Sequence, residues 1–148
     1  MDIKSFFTQD NVMTDVRASD KDQLLKDLST RAAVEVGLDP ALVSAEILKR
    51  EELGSTGLGS GVAIPHARIS GLIKPHGVLA RLNRALDFAS IDEEPVDLVF
   101  LLLLPNSSTG EQLNALAAVA RQLRRPTIAT MLRKARHGSD AYNAMIAE

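Results

Sequence analysis

Two polar side chains lie in stretches of this sequence where a reaction is chemically possible. His66 follows Pro65 at the end of an apolar segment, Val62 to Ile64. An imidazole has an ordinary pKa of about 6.5, so its neutral, nucleophilic form is available near pH 7. Arg50 lies near the apolar side of a predicted helix, and a guanidinium there could stabilise the equatorial oxygens of a phosphoryl group. This pair is suited to holding a phosphoryl group on a histidine.

Each of these residues also has a purely structural interpretation. His66 could be a loop histidine that caps a backbone carbonyl. Arg50 could be an arginine at a helix end, where the helix dipole favours a cation. Glu51 and Glu52, which follow Arg50 directly, are interpreted as solvated residues at the same helix end.

The residues before His66 limit its backbone conformation. Pro65 fixes its own φ, removes a backbone donor and biases Ile64 towards extended geometry. His66 is therefore predicted to emerge from a stiffened strand end rather than from a flexible loop. The glycine-rich stretch before it, GSTGLGSG at 54–61, would let the backbone of another protein approach closely.

The hydrophobic pattern predicts the elements that position these residues. Helices are predicted from a cap at Ser19 to Gly37, from Asp39-Pro40 to Gly54, from about Gly110 to Arg124, from Ile128 to Ala135, and from near Ser139. Strands are predicted at Val62 to Ile64, around Val78 to Leu82 and at Val96 to Leu104, the last apolar throughout, as a strand covered on both faces should be. This order predicts one α/β domain over residues 1–148, with a mixed β-sheet flanked by helices.

Composition excludes several classes of function. The chain of 148 residues contains no cysteine, which excludes disulfides, thiolate catalysis and zinc–thiolate sites. A net charge of −2 and an aromatic content of 3% argue against a nucleic-acid surface or a membrane-binding face. The N-terminal residues lack the pattern of a signal peptide, and VDLVFLLLLP is too short to span a membrane. A cytoplasmic protein without membrane insertion is expected.

No motif for a cofactor or a metal is present in the sequence. The alternating glycines at 57, 59 and 61 do not fit a dinucleotide-binding fingerprint, and the sequence contains no Walker loop, H-E-x-x-H motif or G-x-S-x-G elbow. The three histidines, His66, His76 and His137, are too scattered for an obvious metal site. Neither a cofactor nor a metal is therefore predicted.

A longer stretch of sequence resembles a known family. Glu51, Leu58-Gly59 and VAIPHA at 62–67 resemble the phosphorylation-site signature of the mannitol/fructose class of enzyme IIA of the phosphotransferase system. The segment KREELGSTGLGSGVAIPHAR is most similar to the nitrogen-regulatory branch of that class. The likeness extends through PVDLVFLLLLP and covers most of the chain; Asp97 in that segment matches the family but receives no role.

The resemblance implies a phosphohistidine carrier rather than an enzyme with its own catalytic turnover. His66 would accept a phosphoryl group at Nε2 from an HPr-like phosphocarrier, which draws on phosphoenolpyruvate through enzyme I. Arg50 occupies the position of the arginine that supports the phosphoryl group. The family fold is a mixed sheet flanked by helices. The nitrogen branch implies regulatory targets, such as a potassium transporter or a sensor kinase.

One residue departs from the family pattern. Family members commonly have a second histidine at the start of the helix that follows the long strand, and Gln112 occupies that position here. A glutamine amide can donate a hydrogen bond but cannot become a cation, so we expect slower or less stabilised phosphorylation. Gln112 could also be only a helix-start residue. Two other functions stay open: a sugar-specific enzyme IIA that passes phosphate to enzyme IIB, and an interaction module that works without phosphorylation.

Overall fold

A mixed β-sheet forms the centre of the molecule. The computed structural model describes residues 2–106 and 110–148, apart from the side chains of residues 111 and 112. Within these residues the sheet has six strands: β1 (Val12–Val16), β2 (Gly57–Gly59), β3 (Val62–Ala63), β4 (His66–Ile69), β5 (His76–Leu86) and β6 (Val96–Pro105). The strand order is β1-β5-β6-β3-β2, and β4 also pairs with β6.

Strands β3 and β4 lie end to end along the same edge of β6. Both run parallel to β6, with Val62 opposite Leu98 and His66 opposite Leu102. The carbonyl of Pro65 accepts a hydrogen bond of 2.8 Å from the N–H of Leu102. Because proline has no N–H to donate in return, the ladder is interrupted at Pro65, and a new strand begins at His66.

Helices cover both faces of the sheet, as the sequence predicts. They are α1 (Lys21–Val36), α2 (Pro40–Leu53), α3 (Glu111–Leu123), α4 (Pro126–Lys134) and α5 (Gly138–Met145). Helices α1 and α2 pack on one face, in a core that includes Ala67 and Ile69 of β4. Helices α3, α4 and α5 pack on the other face, in a core that includes Leu102 and Leu104 of β6. This mixed sheet between helices confirms the predicted α/β architecture.

The helix ends agree with the sequence at most positions. Asp39 caps α2, Pro40 is its first residue and Gly54 ends it. Gly37 ends α1 with a left-handed φ of 74°, a conformation that glycine adopts without steric cost. The predicted cap at Ser19 is wrong, because the side chain of Asp20 accepts the bond from the N–H of Gln23 at 2.8 Å.

The sheet differs from the prediction mainly at short strands. Strand β1 was not predicted, because Thr14 and Asp15 interrupt the apolar residues of its short sequence VMTDV. Strand β2 was not predicted either, because glycines have low strand propensity and its pairing with β3 alone places it in the sheet. Strand β5 runs from His76 to Leu86, so it begins slightly before the predicted range and extends further beyond its end. Pro126 begins α4 instead of only interrupting the chain before it.

Candidate functional site

His66 is the first residue of β4, and its ring is fixed by a backbone carbonyl. Its neighbour on β6, Leu102, belongs to the core under α3, so the half-buried imidazole lies on that face of the sheet. The ring Nδ1 lies 2.7 Å from the main-chain oxygen of Ile64. A carbonyl can only accept a hydrogen bond, so in the neutral ring Nδ1 carries the proton and Nε2 keeps the lone pair.

The surroundings of His66 favour the neutral imidazole. Burial is the main cause that lowers the pKa of His66 below its ordinary value of 6.5, because it disfavours the charged ring. The hydrogen bond to Ile64 raises this pKa, the charge of Arg50 lowers it, and that of Glu51 raises it. A nucleophilic Nε2 is therefore available at neutral pH.

Arg50 lies in the last turn of α2, and its side chain faces the same cleft as His66. The guanidinium Nη1 donates a hydrogen bond of 2.9 Å to the carbonyl of Gly54, at the end of the helix. A cleft of about 360 Å³ is lined by both residues. Apolar side chains form much of its remaining wall, namely Leu53, Leu104, Leu113 and Leu116. The structure thus brings together the two residues that the sequence analysis singled out from different elements.

Glu51 is buried, so its interpretation as a solvated helix-end residue is wrong. One carboxylate oxygen lies 2.8 Å from Nζ of Lys21 in α1 and accepts a hydrogen bond of 3.0 Å from the N–H of Thr56. The other oxygen accepts from the hydroxyl of Thr56. These bonds tie the end of α2, which carries Arg50, to α1 and to the chain entering β2. Glu52, in contrast, is exposed as predicted.

The glycine-rich stretch forms a hairpin between β2 and β3. Ser60 and Gly61 have left-handed φ values of 57° and 80°, the pattern of a two-residue hairpin turn. Arg133 of α4 secures this turn, because its guanidinium makes several hydrogen bonds to the carboxylate of Asp97 and one of 2.8 Å to the carbonyl of Ser60. A Cβ on Gly61 would lie 2.7 Å from that guanidinium. A side chain at position 61 would therefore collide with the Arg133–Asp97 pair.

Several residues of the site were not found from the sequence. Lys21 and Thr56 hold Glu51, yet they are separated from it by 30 and 5 positions along the chain, and no periodicity links them to it. Asp97, which received no role, anchors Arg133. Val62 and Ile64, from the apolar segment before His66, are each only 2% exposed and belong to the core.

The remaining predicted site residue is Gln112. Helix α3 begins at Glu111, and Gln112 falls in its first turn. Its side chain lies outside the described residues, so its interaction with a phosphoryl group stays a prediction.

The described residues hold no grouping that suggests a resident metal. No three His, Asp or Glu side chains among them are placed to bind an ion together. Helices of the described segments are also all too short or too polar to cross a membrane.

Comparison with known proteins identifies the family. Residues 5–148 match the family described as phosphoenolpyruvate-dependent sugar phosphotransferase system, EIIA 2. The chain belongs to this family. Membership supports a phosphocarrier role within the phosphotransferase system, and the resemblance noted in the sequence is confirmed.

Similar proteins agree with this family. The chain is 40% identical to a nitrogen regulatory protein of Bradyrhizobium diazoefficiens over 145 residues, covering 98% of this chain and 95% of that protein. The crystal structure of nitrogen regulatory protein IIA-Ntr from Neisseria meningitidis superposes with a TM-score of 0.91 at 31% identity, covering 97% of this chain and 98% of that one. IIA mannitol from Escherichia coli has the same fold, with a TM-score of 0.78 at 18% identity over 94% of this chain and 98% of that one.

Proposed function

We propose that this protein is a cytoplasmic phosphoryl carrier that accepts a phosphoryl group on Nε2 of His66 from an HPr-like phosphocarrier. Its two states, with and without the phosphoryl group, would bind regulatory partners differently, a potassium transporter or a sensor kinase being the kinds that the resemblance implies. The observation that carries the proposal is the contact of 2.7 Å between Nδ1 of His66 and the carbonyl of Ile64, which leaves Nε2 unprotonated beside the cleft.

Phosphoryl transfer to His66 requires no general base, because Nε2 of the neutral ring carries no proton. The lone pair of Nε2 forms a new N–P bond while the N–P bond of the donor's phosphohistidine breaks, and the bonding electrons return to the donor imidazole. The Nδ1 proton of His66 stays on its ring throughout. The carbonyl of Ile64 stabilises the positive charge that this ring gains as the new bond forms, because a hydrogen bond to a charged donor is stronger than one to a neutral donor.

Arg50 is suited to stabilising the transferred group. In phosphoryl transfer, negative charge is spread over three equatorial oxygens, and a guanidinium can donate hydrogen bonds to them. One Nη of Arg50 is held by the carbonyl of Gly54, which limits the positions of the side chain. Glu51 fixes the helix end that carries Arg50, so we assign it a positioning role rather than a part in the transfer.

A regulatory function is favoured over sugar uptake. The nitrogen regulatory proteins of Bradyrhizobium and Neisseria are 40% and 31% identical to this chain, and each is matched over nearly its whole length. A phosphoryl group would add about 1.5 to 2 negative charges at pH 7 beside an apolar cleft. Such a change alters which partner surfaces can bind there.

Transfer kinetics test the proposal and its branch. The protein is incubated with phosphoenolpyruvate, enzyme I and either a nitrogen-branch or a sugar-branch phosphocarrier, and a membrane-bound enzyme IIB for fructose or mannitol is then added. We expect faster phosphorylation by the nitrogen-branch carrier and no onward transfer to enzyme IIB. Rapid onward transfer would instead establish a sugar-specific enzyme IIA. Absence of phosphorylation by both carriers would leave a phosphorylation-independent interaction module.

A further inference from the structure

Like β1 and β2, which are the terminal strands of the sheet, β4 has an outer edge that no other strand of the described residues pairs with. Along its inner edge β4 pairs with β6. Strand β2 pairs with the outer edge of β3. The last hydrogen bond along this edge is the one of 3.1 Å from the N–H of Ile64 to the carbonyl of Thr56. The chain before Thr56 belongs to the turn that follows α2, so it does not continue alongside β4. Within residues 2–106 and 110–148, no strand continues β2 alongside β4.

The backbone groups on this outer edge belong to His66 and Arg68. The carbonyl of Pro65 faces β6, since it accepts from Leu102. Backbone groups of successive residues in a strand point to opposite edges, so those of Ala67 and Ile69 also face β6, and those of His66 and Arg68 face outward. An edge of this kind can pair with a strand from another chain.

The cleft follows this edge. On one side lie Ala67 of β4 and residues of α2, and on the other lie His66, Arg68 and residues of α3. Leu53 at the end of α2 is 83% exposed and Leu113 of α3 is 70% exposed. An extended segment laid along β4 would therefore contact an apolar residue on each side.

The charged residues that line the cleft are mainly cationic. Where the structure describes the side chains of the lining, these residues are Lys49, Arg50 and Arg68, together with one carboxylate, that of Glu46. Among the described residues, neither Lys49 nor Arg68 forms a salt bridge with any acidic group. Acidic side chains on the added segment would complement these cations.

We propose that the outer edge of β4 binds an extended acidic segment of a partner protein as an additional β-strand. Its backbone would pair with His66 and Arg68, its acidic side chains would lie near Lys49 and Arg50, and its alternate apolar side chains would pack on Leu113. This mode of recognition takes affinity from main-chain hydrogen bonds and specificity from alternate side chains. A phosphoryl group on His66 would repel the segment and occupy its cations; this last clause rests on the proposed phosphoacceptor role.

Peptide probes test whether a strand is added. The probe is a fluorescent eight-residue peptide that alternates valine and glutamate, and the charge control alternates valine and lysine. Two further versions carry N-methyl groups on all valine nitrogens or on all glutamate nitrogens. We expect fluorescence anisotropy to show that the glutamate peptide binds and the lysine peptide does not. One methylated version of the glutamate peptide should keep its affinity, and the other should bind at least tenfold more weakly, because only one edge of an added strand faces β4. Equal binding of both versions, or no binding of the unmethylated glutamate peptide, would overturn the proposal.

Variants of Arg68 separate the backbone from the charge. Arg68→Pro removes an outward N–H without removing a bond to β6, whereas Arg68→Gln keeps the N–H and removes the charge. We expect Arg68→Pro to weaken binding of the probe more than Arg68→Gln does. Arg17→Gln, at an exposed position directly after β1, should leave binding unchanged. An NMR spectrum establishes that each variant is folded. If Arg68→Pro fails to fold, nuclear Overhauser contacts between the probe and the His66 and Arg68 amides of the wild type decide the same question, and their absence contradicts strand addition.

A final measurement tests whether a phosphoryl group on His66 weakens binding of the segment to β4. Probe affinity is measured for unmodified protein, for protein phosphorylated by the carrier, and for His66→Glu, which adds negative charge without phosphoryl transfer. We expect both negative forms to bind at least several-fold more weakly. Equal affinity of the probe for all three forms would show that phosphorylation does not control binding at β4. A protein that binds the probe but accepts no phosphoryl group would contradict the proposed function and leave the β4 site intact.

Discussion

The imidazole Nδ1 of His66 and the carbonyl oxygen of Ile64 are only 2.7 Å apart, although a proline separates the two residues in the chain. Pro65 interrupts the pairing with β6 at this point, and the chain resumes as β4 at His66. The break between β3 and β4 is therefore also the place where the carbonyl of Ile64 meets the imidazole of His66. Nε2 is the nitrogen left with a lone pair in the neutral imidazole.

The first prediction concerns the protonation of His66. Because burial lowers the pKa of His66 below 6.5, with a smaller contribution from Arg50, an NMR titration should give a midpoint below 6.5, with the neutral ring protonated at Nδ1. Arg50→Gln should shift this midpoint upward, since it removes a positive charge beside the ring. A midpoint at or above 6.5 in the wild type would contradict the desolvation of the ring.

The same shift gives a sign for the effect of pH on stability. The unfolded chain takes up a proton at its His66 near pH 6.5, whereas the folded chain takes it up only at lower pH. The stabilising contribution is therefore present above pH 6.5 and is lost as pH falls through the folded-state pKa. Urea unfolding should show the wild type losing more stability than His66→Gln over this interval, and parallel curves would exclude the effect.

The second prediction concerns Arg50. Arg50→Gln should slow phosphorylation of His66 on the order of 10²-fold, the loss typical of removing one donor that stabilises a transition state. The measurement is the initial rate of transfer from the phosphorylated carrier. Arg121→Gln, an exposed arginine near the end of α3, is the matched control and should leave the rate unchanged. Equal rates for the two variants would make Arg50 only a helix-end residue.

The third prediction separates two neighbouring glutamates. Glu51→Ala removes the partner of Lys21 and the acceptor for Thr56, so the free energy of unfolding should fall by about 3 kcal/mol, as for a broken buried ion pair. Glu52→Ala, at the exposed neighbouring position, should leave the urea midpoint nearly unchanged. A similar small effect of both changes would show that the contacts of Glu51 contribute little.

The difference between these glutamates shows where sequence reasoning stops. The helix caps at Asp39 and Gly37 and the buried strand β6 depend on local pattern, and they were predicted correctly. The burial of Glu51 depends on Lys21, 30 residues away in another helix. No local sequence pattern predicts a contact between residues so far apart in the chain. Charge adjacency alone made Glu51 and Glu52 look equivalent.

The site itself was partly predictable for the same reason. The apolar-side position of Arg50 and the proline before His66 both follow from spacing, and the structure places the two side chains in one cleft. Strand β2 was missed because its glycines have low strand propensity and only its pairing with β3 defines it. The outward edge of β4 is likewise a property of the assembled sheet.

The fourth prediction concerns Gln112. Gln112→His should raise the rate of transfer to His66 or lengthen the lifetime of the phosphohistidine, because a second imidazole can become a cation near the phosphoryl group. At a separation of about 4 Å and an effective dielectric near 20, one unit charge contributes up to roughly 4 kcal/mol. Asn114→His, two positions along the same helix and exposed, is the control. If rate and lifetime both match the wild type, the departure at position 112 has no kinetic consequence.

The most direct test of the central claim is the intact mass of the protein after incubation with phosphoenolpyruvate, enzyme I and an HPr-like phosphocarrier. Wild type, His66→Ala, His76→Ala and His137→Ala are compared, so that every histidine of the chain is covered. The proposed mechanism predicts a gain of one acid-labile phosphoryl group in all of them except His66→Ala. A gain that persists in His66→Ala, or no gain in the wild type, would contradict the assignment of His66 as the phosphoacceptor.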